Sequence, residues 1–378
     1  MRGNARASNL WSVKLVRATF AAAMFLRIAA AQTPGERSEI VARNNRAVAL
    51  ASEGRQAEAE EQYRAALADS DDDLTRAKIA SNLAELLRRQ DRYREAEQLY
   101  RSALEWRQRN LPAGDIDVEY SLNNLGEVYR VEGREWEARN LIGTAARGLQ
   151  ELHPEAAGLP IVLGNFAVLL CRSGEFDRAE ELLRSAVLVY QKRHETRSRD
   201  YALTLANLGQ VLETKNELES AGQVYDEAIG IFENVGAPAG AELAAVLANQ
   251  GALLARMNCP EQARQSEERA LQLLHPVGDA VLRAQILRNL GNIVAGGGKP
   301  ADSVPYFEQS LVIQEKTLGA EHPATVRLLL DYASATQRAG NKSLARKLRK
   351  RAEDLLARIS RQSLSQMTVS LRDMRDSK

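Results

Sequence analysis

The most constraining feature of this 378-residue chain is a unit of about 42 residues that it writes eight times. Aligned on an asparagine, the copies fall at Asn45, Asn82, Asn124, Asn165, Asn207, Asn249 and Asn289, with Asp331 in the last. Four further columns keep this register. Two residues after the anchor stand Ala47, Ala84, Gly126, Ala167, Gly209, Gly251, Gly291 and Ala333, a small residue every time. Nine after it stand Gly54, Asp91, Gly133, Gly174, Asn216, Asn258, Gly298 and Gly340, the residue types that tolerate a left-handed backbone after a helix. Fourteen after it every copy has Ala except Ser303, and twenty-one after it every copy has Ala except Ser310.

Apolar residues recur at the helical period on both sides of the turn column, so each unit reads as helix, turn, helix and connector. Small residues at fixed offsets let the two helices approach to the short end of the usual spacing of about 8–10 Å. A single hairpin of this kind cannot bury its apolar face, so neighbours must stack, which makes the chain an all-α superhelical solenoid. Aromatic residues are only 5% of the chain, which fits packing on small side chains. Lys plus Arg number 51 against 50 Asp plus Glu, a net charge of +1 that argues against a protein built mainly to coat nucleic acid.

The first 35 residues carry Arg2, Arg6, Lys14, Arg17 and Arg27, no acidic residue before Glu36, and the apolar run "ATFAAAMFL" ahead of Ala29-Ala30-Ala31. A basic start, an apolar stretch and a small-residue site predict a secretory signal peptide over residues 1–31, a linker over 32–40 and an exported, periplasmic or secreted protein. Arg27 within the apolar stretch keeps three alternatives open: an uncleaved anchor, an organellar transit peptide, and a misassigned start with a cytoplasmic location. The repeat array then occupies 41–359 and a polar tail 360–378.

The segments "NLGEVYRVEGREWEA" and "EAEQLYRSAL" resemble the tetratricopeptide repeat at its Leu-Gly, Tyr, Gly, Ala, aromatic and Ala positions. The long period resembles the kinesin-light-chain type, whose connector is matched at Leu318-Gly319-Ala320-Glu321-His322-Pro323 and echoed at His153-Pro154 and His275-Pro276. The resemblance implies about eight helix-turn-helix repeats in a right-handed superhelix that binds a peptide or protein. In the eighth unit Arg349 and Glu353 stand where earlier units have Tyr100 and Leu104, a polar outer face suited to a terminal cap. In the sixth, Gln250 and Glu267 replace core residues, and in the seventh Pro305 follows Pro300 by five positions, marking a weak point or hinge between 296 and 305.

Catalytic patterns are absent. Three of the four histidines precede proline in connectors, His194 lies in the polar stretch "QKRHETRSRD", and no metal-ligand spacing occurs. The stretch "AGGGKPADS" lacks the spacing of a phosphate loop and reads as an intra-repeat turn. Cys171 and Cys259 lie two repeats apart, on the order of 20 Å, too far for a disulfide, so two free thiols are expected. The chain is expected to be no enzyme and to need no cofactor, metal or small-molecule substrate.

The resemblance places the first helix of each unit on a concave groove, exposing the anchor and the positions three, six and seven residues later. The groove would then be lined by Asn82, Arg88, Arg89, Asn124, Arg130, Asn165, Arg172, Asn207, Asn249, Arg256, Asn289 and Arg338. Arginine offers forked donors to carboxylates and asparagine pairs with peptide backbone, so the expected partner is an acidic protein segment. A plainer account is open: arginines near a helix C-terminus favour its dipole, and asparagine can bond one helix to the next. A rival function is an envelope assembly factor that uses the convex face or the basic run Arg346, Lys347, Arg349, Lys350 and Arg351. A third is the sensor portion of a regulator whose effector lies on another chain.

Overall fold

The computed structural model describes residues 39–70, 73–235, 240–274 and 279–376, with side chains of the last helix described to residue 361. The expected signal segment, residues 32–38 of the linker and the His275-Pro276 connector lie outside them. Among the described residues there are sixteen helices and no strand, so the fold is all-α. The chain divides into two compact units, with the boundary after Glu217.

The first unit holds α1 (Glu39–Ser52), α2 (Gln56–Asp69), α3 (Asp73–Arg89), α4 (Tyr93–Asn110), α5 (Ile116–Val131), α6 (Glu135–Leu152), α7 (Leu159–Arg172), α8 (Phe176–Lys192) and α9 (Arg199–Thr214). The pairs α1–α2, α3–α4, α5–α6 and α7–α8 are hairpins, and each second helix packs on the first helix of the next pair. The second unit holds α10 (Leu218–Val235), α11 (Gly240–Arg256), α12 (Pro260–Leu273), α13 (Ala280–Gly296), α14 (Pro300–Leu318), α15 (Pro323–Arg338) and α16 (Lys342–Asp376). There α11–α12, α13–α14 and α15–α16 are the hairpins, with α10 packed on α11.

The turn column does what its residue types allow. Gly54, Asp91, Gly133, Gly174, Asn216, Asn258, Gly298 and Gly340 all have positive φ, from 61° to 88°. In the turn after α3 the Asp91 N–H donates to the Arg88 carbonyl and the Arg92 N–H to the Leu87 carbonyl, the paired bonds of a left-handed helix stop. The alanine columns are buried: Ala59, Ala96, Ala138, Ala179, Ala221 and Ala263 have no exposed surface. The two serines that interrupt them satisfy their hydroxyls locally, Ser303 on the Pro300 carbonyl and Ser310 on the Ala284 carbonyl at 2.6 Å. In six of the eight units a larger apolar or aromatic side chain fills the slot opposite the small residue that follows the anchor: Tyr63, Tyr100, Ile142, Leu183, Tyr225 and Phe307 are at most 1% exposed.

Between hairpins of the first unit runs a ladder of ion pairs on the second-helix side. Glu60 of α2 meets Arg92 at 2.7 Å, and Glu97 of α4 meets Arg134 at 3.0 Å. At the next rung the signs reverse, Arg139 of α6 pairing with Glu175, and at the fourth they return, Glu180 of α8 with Lys215 at 2.6 Å. In the second unit α14 carries Pro305 inside its first turns without ending there, and α16 continues as helix through Asp376, beyond the array boundary expected at 359. Arg349 and Glu353 are exposed on α16, where Leu348 and Ala352 are its buried residues.

Candidate functional site

First helices α3, α5 and α7 of the first unit line an open groove. Its floor is apolar at Ile161 and Val162 of α7, and its walls carry Asn123 and Asn124 of α5 and the charged residues Glu85, Arg88 and Glu127. Tyr120 closes one end, its hydroxyl accepting from the Gly158 N–H at 3.1 Å. Helical spacing explains the composition, since residues three apart on one helix share a face. Glu85 and Arg88, and again Glu127 and Arg130, are such pairs.

Arg88 grips Glu85 with two bonds of 2.8 Å, and Arg89 adds a third to the same carboxylate at 3.0 Å. Tyr100 of α4 donates to the other oxygen at 3.1 Å. Burial works to raise the Glu85 carboxyl, but Arg88 and Arg89 outweigh it and hold it below the usual range. One layer on, Arg130 holds Glu127 through two bonds of 2.9 Å, and both are almost fully buried. Two guanidinium groups thus share the one Glu85 carboxylate. The Glu127 pair is neutral. Arg172, at the end of α7, pairs with Glu135 of α6.

The asparagines divide into two kinds. Asn82 and Asn165 are buried, and each donates at 3.0 Å to an asparagine on the preceding first helix: Asn82 to Asn44, Asn165 to Asn123. Asn165 also edges the groove, where its Oδ1 has no partner. Asn124 is half-exposed in the groove wall and Asn207 half-buried on α9. The acceptors Asn44 and Asn123 were missed from sequence, though the doublets Asn44-Asn45 and Asn123-Asn124 signal them. Tyr120, Ile161 and Val162 lie before their anchors and were missed as well.

In the second unit Asn249 is half-buried on α11 with its Nδ2 unpartnered, and Asn289 of α13 donates to Glu267 of α12 at 2.7 Å. Arg256 is exposed at the end of α11, and Arg338 donates to the Ala295 carbonyl at 3.2 Å. Arg288 of α13 reaches Asp331 of α15 at 2.6 Å. None of these second-unit residues lines the groove of the first.

The described histidines lie at helix ends and turns. His153 contacts the Gly114 carbonyl at 2.7 Å, His322 Nδ1 accepts from the Ala324 N–H to cap α15, and His194 takes a left-handed turn position. Cys171 and Cys259 are free, and burial pushes the Cys171 thiol up to about 12. Among the described residues no group of His, Cys, Asp and Glu could hold a metal, and no helix is long and apolar enough to cross a membrane.

A family model described as tetratricopeptide repeat matches residues 75–151, 159–234 and 282–358. No curated protein matches the chain. Among solved structures it is similar to the apo form of the quorum sensor NprR from B. thuringiensis, with a TM-score of 0.63 at 11% identity over 88% of this chain and 91% of that one. Apo RapI gives 0.59 at 16% identity over 75% and 99%. A Rap protein complexed with competence and sporulation factor gives 0.54 at 14% identity over 86% and 99%. At these identities the likeness is one of fold.

Proposed function

Because the chain belongs to the tetratricopeptide repeat family, we propose that it is a non-enzymatic interaction scaffold that takes an acidic protein segment along the α3–α5–α7 groove. One observation carries this reading: an open groove with an apolar floor at Ile161 and Val162, whose lining residue Glu85 is held by two arginines, Arg88 in the lining and Arg89 beside it, while Glu127 is matched by Arg130. An incoming carboxylate adds to Arg88 and Arg89 without having to displace Glu85, since each guanidinium has five donors. In this reading Asn124 pairs with peptide backbone, and Ile161 and Val162 take an apolar side chain beside the acid. A Rap protein of similar fold is known complexed with competence and sporulation factor, which is consistent with a binding role for such a solenoid. Export belongs to the same proposal, supported by the composition of residues 1–31.

Fluorescence anisotropy of residues 32–378 against matched acidic, neutral and basic peptides tests it, repeated at two salt concentrations and with Arg89→Glu and Asn124→Ala. Preference for the acidic peptide that weakens with salt and is lost in Arg89→Glu supports the groove. Equal binding of all three peptides, or acidic binding untouched by both variants, overturns it. The rival assembly role rests on the exposed Arg346, Lys347 and Lys350 of α16, and binding lost in Lys347→Glu/Lys350→Glu but kept in Arg89→Glu assigns the function there.

A further inference from the structure

The slot that holds a tyrosine, phenylalanine, leucine or isoleucine in six of the eight units is occupied in α12 by Glu267, which has no exposed surface. Its position is that of the core side chain it replaces. A Cβ on Gly251 of α11 would lie 2.7 Å from the Glu267 Cγ, as one on Gly126 would lie 2.5 Å from Ile142 and one on Gly291 2.9 Å from Phe307. The carboxyl therefore sits in the seam between α11 and α12, with α13 closing over it. Oε1 accepts from Asn289 Nδ2 at 2.7 Å, and Oε2 has no partner. Asn249 Nδ2, from the same column as Asn289 one unit earlier, is also buried and unpartnered.

The charges around it are committed elsewhere. The helices packed on α12 are α11 and α13, whose charged residues are Glu242, Arg256, Arg283 and Arg288. Arg283 donates to the Leu274 carbonyl and Arg288 to Asp331. On α12 itself Arg264 pairs with Glu268 and Arg269 with Glu233, while Glu261 stands exposed in the first turn. Burial drives the Glu267 carboxyl well above the ordinary carboxylate range, and only the Asn289 amide pulls it back. A lone buried carboxylate is far costlier than a lone buried acid, because no cation repays its lost hydration.

We propose that the junction of α11, α12 and α13 is a pH-gated joint, closed while Glu267 is a neutral acid and parted at α13 when the carboxyl ionises into water. Opening then releases one proton. Between the ordinary carboxylate range and the raised value of the closed state, the closed fraction relative to the open one falls about tenfold per pH unit; beyond that value it levels off. At acid pH, where both states are protonated, the joint is at its tightest.

Native-state hydrogen exchange of the full chain from pH 5 to 8, corrected for intrinsic rates, tests the joint. In the wild type the protection of α12 and α13 amides is expected to fall by up to tenfold per pH unit, while Glu267→Gln and Glu267→Leu show a flat profile. The carbon-13 shift of the Glu267 carboxyl should titrate over the same range. An equal slope in the neutral variants, or a wild-type profile that is flat with the carboxyl already ionised at pH 5, overturns the proposal.

Discussion

Single atoms decide the fit between helices. Gly126 has Ile142 Cγ1 2.5 Å from where a Cβ would stand, whereas Gly164 of α7 has open space there. Gly126→Ala is therefore expected to destabilise the chain by about 1–3 kcal/mol, and Gly164→Ala to stabilise it by about 0.5–1 kcal/mol through helix propensity alone. Urea unfolding midpoints should move in opposite directions. Asp200, in the first turn of α9, shows the electrostatic side of the same precision. Burial lifts its carboxyl to about 6, with Arg199 opposing and Glu195 assisting. A raised carboxyl means that the folded state keeps its proton longer, so the stability tied to that proton is full below about pH 4 and is lost as pH rises to the folded value. Relative to Asp200→Asn, the wild type should lose on the order of 2 kcal/mol between pH 4 and 7, read from urea unfolding at each pH. Parallel curves for the two proteins would refute the assignment.

At the scale of helices, the ion-pair ladder ties each second helix to the turn of the next hairpin. Arg139 and Glu175 are each about one-third exposed, so their pair belongs to the weak surface class of about 0.2–1 kcal/mol. Arg139→Glu leaves two acids facing each other and should cost about 1 kcal/mol, and adding Glu175→Arg, which restores the sign order of the rungs on either side, should recover most of it. A double-mutant cycle in urea measures that recovery, and strict additivity would show that the contact carries no energy. The helices themselves were legible. The left-handed turn residues and the buried alanines stood in columns because backbone geometry and interhelix distance admit few residue types there. Which face each polar side chain meets was not legible, since the anchor asparagine sits at the border between two faces. Asn82 and Asn165 bond back to Asn44 and Asn123, while Asn124 looks into the groove. The arginines were read as free donors. Their i, i+3 glutamates, Glu85 and Glu127, were present in the sequence, but the closure of bidentate pairs depends on neighbouring helices removing water from them.

At the scale of the molecule, repetition made the family readable from residues alone and kept the ligand hidden, because a repeat specifies a surface and leaves its occupant to side chains that vary from copy to copy. Repetition also carries a hazard. Hairpins this alike invite a chain to close on the wrong neighbour, leaving one out. The reversed rung acts against that error. Were the third hairpin omitted, Glu97 would confront Glu175; were the fourth omitted, Arg139 would confront Lys215. Only omission of the second would bring opposite charges together, Glu60 with Arg134. The order of signs along the ladder thus numbers the hairpins, and a stack assembled out of turn meets repulsion where the proper one finds an ion pair.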